Sequence, residues 1–169
     1  SPIGVLQVTP RHDARFTANG VPVTAAAQDT VTPYLVFTPS LTVLDHETTF
    51  LQADAVPALT SDPGARVVAA VDIRPNATFV KQVQTELNDY LNECATQEVL
   101  LPTGCPFGEE ISNRIITTPR WSIADYPQVT IVPGPEPASW LMPRTTAAAH
   151  LVVDVRSLFD GSVSTFDED

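Results

Sequence analysis

The residues best suited to chemistry by type and spacing are the two cysteines of the chain. Cys94 and Cys105 are separated by ten residues. Redox-active cysteine pairs lie much closer together, so that one thiol can resolve the other, and this spacing does not form such a motif. A zinc site needs about four ligands. The histidines at positions 12, 46 and 150 form no paired spacing with these cysteines, so zinc binding is not indicated either.

A disulfide between Cys94 and Cys105 is the interpretation that the surrounding residues favour. Thr103, Gly104 and Pro106 predict a turn that brings Cys105 back towards the preceding helix. Closing a loop of this size stabilises a fold by about 2–3 kcal/mol in the chain-entropy model. The alternative is a pair of buried free thiols. Because a disulfide implies an oxidising compartment, we expect a secreted or membrane-anchored, extracytoplasmic location.

Two other groups of residues carry the elements of acid–base or ligand chemistry. Asp45, His46 and Glu47 form the densest titratable cluster. On a strand, His46 would face away from its acidic neighbours, whereas in a turn all three could share a ligand. A solvated loop is the plainer interpretation. His150 and Asp154 would share one face of a strand, which suits a His–carboxylate pair, and a surface cross-strand pair is the plainer interpretation there.

The clearest secondary-structure element is an amphipathic helix that begins after residue 75 and ends near Cys94. Asn76 is its predicted N-cap, because the side-chain oxygen can accept an unpaired N–H of the first turn. Apolar residues then recur at helical spacing. They are Phe79, Val83, Leu87, Tyr90, Leu91 and Cys94. The helix therefore leads directly into the cysteine loop and positions its first cysteine.

Short β-prone runs separated by turn residues occupy most of the remaining chain. The best local signal is Asn19-Gly20 between two such runs, a preferred pair for a tight hairpin. We predict an α+β fold in which one main amphipathic helix packs on a curved antiparallel sheet, similar to cystatin or NTF2-like folds. A β-rich N-terminal portion would occupy residues 1–64 and the helix-plus-sheet domain residues 65–169. We expect the two to pack as one unit.

Composition limits the classes of partner. The net charge is −11 and Lys and Arg form no cluster. Nucleic-acid binding is therefore not expected, because it requires clustered positive charge. Lysine occurs once against eight arginines, a bias typical of GC-rich bacterial genomes. No run reaches the ~20 apolar residues of a membrane span. The sequence begins with Ser1, and we expect a signal peptide or membrane anchor to lie outside it.

Two segments resemble extracytoplasmic domains of actinobacterial membrane-anchored proteins, a family without a characterised activity. The first is the helix end at residues 83–94 with the turn at 102–108. The second is the β-prone run at residues 149–156, together with Pro133-Gly134. The resemblance covers roughly residues 75–169, and its motifs are structural. It implies an extracytoplasmic location and this organisation of elements, and it implies no activity.

Motifs with an established catalytic mechanism are missing from the sequence. There is no nucleotide-binding glycine loop, no Gly-x-Ser-x-Gly elbow and no His-Glu-x-x-His pair. No catalytic residue, metal ligand or cofactor is therefore predicted. Trp140, Leu141 and Met142 form an apolar run between two prolines. Such a run suits either a core strand or, if exposed, a contact patch.

We therefore expect a non-catalytic extracytoplasmic domain of a bacterial envelope protein. Its partner would be a protein or a small molecule that the sequence does not identify. The alternative is a small-molecule-binding domain, or an enzyme, that uses the concave face of the sheet. His150 and Asp154 are the first candidates for that role.

Overall fold

The structure is a computed structural model that describes all 169 residues. The chain divides into two compact units, each formed from two segments. Unit 1 consists of Ser1–Lys81 and Thr130–Pro143, and unit 2 consists of Gln82–Val129 and Arg144–Asp169. This division does not coincide with the expected boundary at residue 64, because the strand after that residue is hydrogen-bonded into a sheet of unit 1.

Strands are the main regular element of both units, and there is one helix. The strands of unit 1 are β1 (Ile3–Arg11), β2 (Arg15–Ala18), β3 (Val21–Thr24), β4 (Thr32–Phe37), β5 (Ser40–Asp45), β6 (Leu51–Gln52), β7 (Val56–Thr60), β8 (Arg66–Asp72), β9 (Arg74–Pro75), β12 (Val132–Pro133) and β13 (Trp140–Leu141). Helix α1 (Ala77–Ala95) follows β9. The strands of unit 2 are β10 (Arg114–Ile115), β11 (Arg120–Asp125), β14 (Ala148–Arg156) and β15 (Val163–Glu168).

Unit 1 is built on two sheets that share one apolar core. The first sheet has the order β4-β1-β8, with β1 antiparallel to β4 and parallel to β8. The second has the order β3-β2-β5-β7 and is antiparallel throughout. Alternate residues point to opposite faces of a strand. The inward residues of both sheets therefore meet in one buried cluster, which includes Leu6, Val8, Phe16, Leu44 and Val71.

The predicted hairpin at Asn19-Gly20 is confirmed. These two residues join β2 to β3 and have φ values of 51° and 79°. Positive φ at both central positions is what the preferred two-residue hairpin turn requires, and Asn and Gly adopt it at low cost. The Asn19 side chain also accepts a hydrogen bond from Val43 N–H at 2.8 Å. The turn is therefore fastened to β5.

Unit 2 contains a four-stranded antiparallel sheet centred on β14. One edge of β14 pairs with β10 and β11, and the other edge pairs with β15. Leu151, Val153 and Val155 point to the same face and are each at most 4% exposed. Half-buried apolar side chains, including Trp121 and Phe166, pack around these three residues. The core of this sheet is therefore small.

Helix α1 begins at its predicted N-cap, since Asn76 Oδ1 accepts a hydrogen bond from Phe79 N–H at 2.9 Å. Leu91 and Cys94 of the predicted apolar stripe are buried, whereas Tyr90 is 43% exposed. The helix is not long and apolar enough to cross a membrane. A mixed α+β fold with one helix and several antiparallel sheets is confirmed. The buried cluster of the β14 sheet includes no helix residue, so this cluster does not establish the cystatin- or NTF2-like comparison.

Candidate functional site

The most extensive feature suited to binding is the outer face of the β4-β1-β8 sheet. We call it the outer apolar face and define it by Ile3, Val5, Leu35, Phe37 and Val68. Leu35 and Phe37 are each 75% exposed and Val68 is 71% exposed. Ile3 lies opposite Phe37, and Val5 lies opposite Leu35. Ile3, Val5, Leu35 and Phe37 therefore form one continuous apolar group, and Val68 lies on the same face opposite Gln7.

The outer apolar face results from a strand that is apolar on both sides. The run Tyr34-Leu35-Val36-Phe37 places Tyr34 and Val36 against the core of unit 1 and the other two side chains outside. Runs of this kind are typical of strands that are covered on both faces. Large exposed apolar patches are characteristic of surfaces that bind a partner. The sequence analysis did not predict that the second face of this strand is uncovered.

The predicted contact patch at Trp140, Leu141 and Met142 is divided between the core and the surface. Trp140 is half-buried against the core cluster of unit 1, and its ring lies edge-on to that of His12 at 6.0 Å between centroids. Leu141 is 42% exposed and Met142 is 39% exposed. Two medium-sized side chains at the surface form a much smaller feature than the outer apolar face.

His46 is buried, unlike the solvated loop residue that the sequence suggested, and its side chain is 4% exposed. Its Nδ1 lies 2.7 Å from the Arg15 carbonyl oxygen. A carbonyl oxygen only accepts hydrogen bonds, so Nδ1 carries the proton and donates it. The Nε2 atom is buried without a partner. The imidazole is thus held as a structural group inside unit 1.

Asp45 and Glu47 lie on either side of His46 and border an open depression with a volume of about 340 Å³. Asp54 and Asn76 also line this depression. The Asp45 carboxylate accepts a hydrogen bond from the His46 backbone N–H at 2.8 Å, which closes a local turn. No three His, Cys, Asp or Glu side chains anywhere in the chain are placed to hold a metal ion. The depression is thus a polar surface without an assembled ligand set.

Asp13 is a buried carboxylate that sequence reasoning did not single out. It is 1% exposed, and its carboxylate accepts three hydrogen bonds from Arg15. The donors are Arg15 Nε at 2.9 Å, Nη2 at 2.6 Å and the backbone N–H at 3.0 Å. Burial alone raises the pKa of the Asp13 carboxyl, but the hydrogen bonds and charge of Arg15 outweigh it and hold that pKa below its usual value. The pair joins the first residue of β2 to the residue two positions before it and is structural.

His150 is held by two carboxylates at the end of the chain. Its Nδ1 contacts Asp169, and its Nε2 lies 2.5 Å from an oxygen of Asp167. The hydrogen bond to Asp169, together with the charge of Asp167, raises the pKa of this imidazole. Both ring nitrogens then act as donors, as in an imidazolium. The group is occupied by its neighbours and offers no free nitrogen for general-base chemistry.

Asp154 lies on the same strand as His150 but does not pair with it. Its carboxylate accepts a hydrogen bond from the Thr165 hydroxyl at 2.7 Å. Thr165 and Asp167 are both on β15, the strand beside β14. The strand alternation that the sequence predicted is present, and the carboxylates that meet His150 come from this neighbouring strand and the residue after it.

The predicted disulfide between Cys94 and Cys105 is confirmed. Two side-chain hydrogen bonds also close the same loop. The Gln97 amide accepts one from Thr103 N–H at 2.9 Å and donates one to Thr103 O at 3.1 Å. Tyr90 also donates its hydroxyl to the Gly104 carbonyl. Neither cysteine is free. The loop is therefore a structural closure rather than a redox centre.

The chain matches no protein-family model, and searches of curated proteins and of solved structures find no similar protein.

Proposed function

We propose that this chain is a non-catalytic extracytoplasmic domain of a bacterial envelope protein that binds another protein through the outer apolar face. The observation that carries this proposal is the exposure of Leu35, Phe37 and Val68 on one sheet face. Fully burying a side chain of this size is worth about 1.5–3 kcal/mol relative to leaving it in water. A partner that covers all three therefore has a substantial driving force.

A binding role is also supported by the state of the titratable residues that sequence reasoning selected. His46 is buried with its Nδ1 donating to a backbone carbonyl, and both ring nitrogens of His150 are engaged by carboxylates. Asp154 is engaged by Thr165. Catalysis by these residues would require them to leave their present partners. Contact through an apolar surface requires no such change.

Site-specific photocrosslinking tests the contact in envelope material from the native host. A photoreactive residue at Leu35 is expected to give a discrete crosslinked product. The same residue at Leu59, which is 59% exposed on the second sheet of unit 1, is the control position. Val68→Asp should abolish the crosslink from Leu35 because it places a charge in the outer apolar face. Leu59→Asp should leave it intact, and equal loss with both variants would contradict the proposal.

The extracytoplasmic location rests on the disulfide, because cytosolic thiols are normally kept reduced. Alkylation without reductant, followed by mass measurement, tests it in protein from the native host. Cys94 and Cys105 are expected to resist alkylation until a reductant is added. Rapid alkylation of both thiols in untreated material would contradict the location. The proposed membrane anchor outside this sequence is tested by whether the full-length protein sediments with membranes.

We also propose the cystatin- or NTF2-like arrangement for unit 2. Its support is the order of elements, with residues 82–95 of helix α1 preceding a four-stranded antiparallel sheet. Proton–proton distances measured by NMR between Leu91 and the β14 side chains test this. Short distances are expected if the helix lies on the sheet. Their absence in a well-resolved spectrum would remove the comparison.

A further inference from the structure

A cavity lies between the two sheets of unit 1, on the opposite side of the β4-β1-β8 sheet from the outer apolar face. Its volume is about 100 Å³. Leu6, Val8, Phe16 and Leu44 line its floor, and none of them is more than 3% exposed. Their side chains come from both sheets. The cavity therefore reaches into the core between the sheets and is open to solvent on one side.

The position of the cavity follows from how the two sheets meet. Strands β7 and β8 lie against each other, so the two sheets close together along that side. The two sheets approach each other closely at Gly4, because a Cβ atom at this position would come within 2.5 Å of Thr60 Cγ2. Strands β3 and β4 end the two sheets on the other side. The sandwich is therefore closed at one side and open at the other, and the cavity lies towards β3 and β4 because both strands contribute to its lining.

The chemistry of the cavity selects an apolar occupant. Only apolar surface faces the space. A water molecule needs two to four polar partners to occupy a cavity stably, and this one offers none. A cavity of about 150 Å³ holds a benzene molecule, so this one has room for about four carbon atoms. A short branched aliphatic group has the matching size and polarity.

Two hydroxyl groups belong to residues that line the same cavity. Tyr34 and Thr42 are half-buried, and the hydroxyl of neither is hydrogen-bonded to another residue. Neither hydroxyl is among the buried polar atoms that lack a partner, so both reach solvent. The Tyr34 ring itself packs edge-on against Phe16, with 6.2 Å between the ring centroids. No polar atom faces the cavity itself, so these two hydroxyls lie outside the apolar space, on residues whose carbon atoms line it.

We propose that this inter-sheet cavity is a binding site for a small amphiphile whose branched aliphatic end fills the space between Phe16 and Leu44 while its polar head meets the Tyr34 and Thr42 hydroxyls. The site is independent of the proposed contact through the outer apolar face, because the two lie on opposite faces of one sheet. An experiment can therefore contradict the cavity site without contradicting the contact through the outer apolar face, and the reverse also holds.

The probe for this site is 3-methylbutan-1-ol, which joins a branched aliphatic end to one hydroxyl. Methyl-resolved NMR of the intact chain is the readout. Saturable shifts are expected at Leu6, Val8 and Leu44, with Leu151 and Val153 of unit 2 as internal controls. Pentane-1,5-diol has the same number of carbons but a hydroxyl at each end. It should bind at least about tenfold more weakly, because one hydroxyl would be buried without a partner.

A matched pair of variants distinguishes filling of the cavity from general effects. Ala18 lines the cavity, whereas Ala70 lies on the outward-facing side of β8. Ala18→Leu adds three carbon atoms at the cavity and should abolish the saturable shifts. Ala70→Leu adds the same atoms elsewhere and should leave them unchanged. If Ala18→Leu does not fold, Val36→Ile adds one methylene to the lining and should weaken binding severalfold.

The Tyr34 hydroxyl has its own test. Tyr34→Phe removes one hydrogen bond to the head group and should weaken binding of the alcohol by about fivefold. Binding of 2-methylbutane, which has no head group, should not change. The proposal is overturned if the alcohol causes no saturable shift in the cavity methyls, if unit 2 methyls shift equally, or if the diol binds as well as the alcohol.

Discussion

The two units differ in what holds their strands together. In unit 1, two sheets bury a cluster to which five of their strands contribute, and Val71 and Ile73 are fully inaccessible to solvent. In unit 2, the cluster on the β14 sheet has only three buried members, all from one strand. Burial of apolar surface is the main favourable term in folding. Unit 1 is therefore stabilised chiefly by its core.

Unit 2 replaces much of that core with specific links. The Cys94–Cys105 disulfide closes the loop after helix α1, and Gln97 ties together the backbone of the same loop. His150 joins β14 to two carboxylates at the end of the chain. Small domains with little buried surface commonly depend on such cross-links. Cys94, Cys105 and His150 therefore act mainly as cross-links in a unit with a small core.

The largest expected effect comes from a cavity made in the core of unit 1. Ile73→Ala removes three carbon atoms from a side chain that is 0% exposed, and should lower the free energy of unfolding by about 2–5 kcal/mol. Chemical denaturation followed by circular dichroism measures it. Val68→Ala on the outer apolar face is the control and should change stability by less than about 0.5 kcal/mol. Similar costs for both variants would contradict a core-dominated unit 1.

Loss of the disulfide should produce the next largest effect. The double variant Cys94→Ala, Cys105→Ala should lower the free energy of unfolding by about 2–3 kcal/mol, because the unfolded chain is no longer constrained. Hydrogen exchange should speed up at the end of helix α1 and in the loop at residues 96–105. Amides around Val71 in unit 1 are the reference. A reductant should reproduce the effect in the native chain and have no effect on the variant.

Close approach of the two sheets in unit 1 gives a third, smaller effect. Gly4→Ala places a Cβ atom 2.5 Å from Thr60 Cγ2 and 3.1 Å from the Ala65 carbonyl oxygen. Overpacking of this kind should cost about 1–3 kcal/mol. Thermal unfolding measures the loss. Thr60→Ser removes the methyl group that the new Cβ atom would contact. The double variant Gly4→Ala, Thr60→Ser should therefore recover part of the lost stability, and no recovery would mean that the strain has another source.

Local patterns predicted the parts of the fold that depend on neighbouring residues. The N-cap at Asn76, the Asn19-Gly20 hairpin and the Cys94–Cys105 disulfide each follow from a few adjacent positions or a short loop. The outer apolar face was not predicted. Its strand is apolar on both sides, and what covers each side is decided by elements far away in the sequence.

The partners of His150 were likewise not predictable from neighbouring residues. The sequence placed His150 on a strand and suggested a carboxylate on the same strand as its partner. The structure instead brings Asp167 and Asp169 to the imidazole. Which side chains meet across two strands depends on register, and register is fixed by the pairing of β14 with β15. A single sequence does not carry that information locally.

The smallest expected effect concerns pH and unit 2. The hydrogen bond to Asp169 and the charge of Asp167 raise the pKa of His150 above its ordinary value of about 6.5. Below that ordinary value, the imidazole is protonated in both the folded and the unfolded chain, and its stabilising contribution is fully present. As the pH rises through the raised pKa of the folded state, the proton leaves and the contribution is lost.

The β14–β15 pairing should therefore weaken as the pH rises through the raised pKa of His150, whereas the core of unit 1 does not depend on this imidazole. NMR titration of the His150 ring gives the pKa, and hydrogen exchange of the Val163–Glu168 amides gives the strength of the pairing. Asp169→Asn should lower the pKa of His150, and His150→Gln should remove this part of the pH dependence. An unchanged pKa in Asp169→Asn would mean that the end of the chain does not hold the ring.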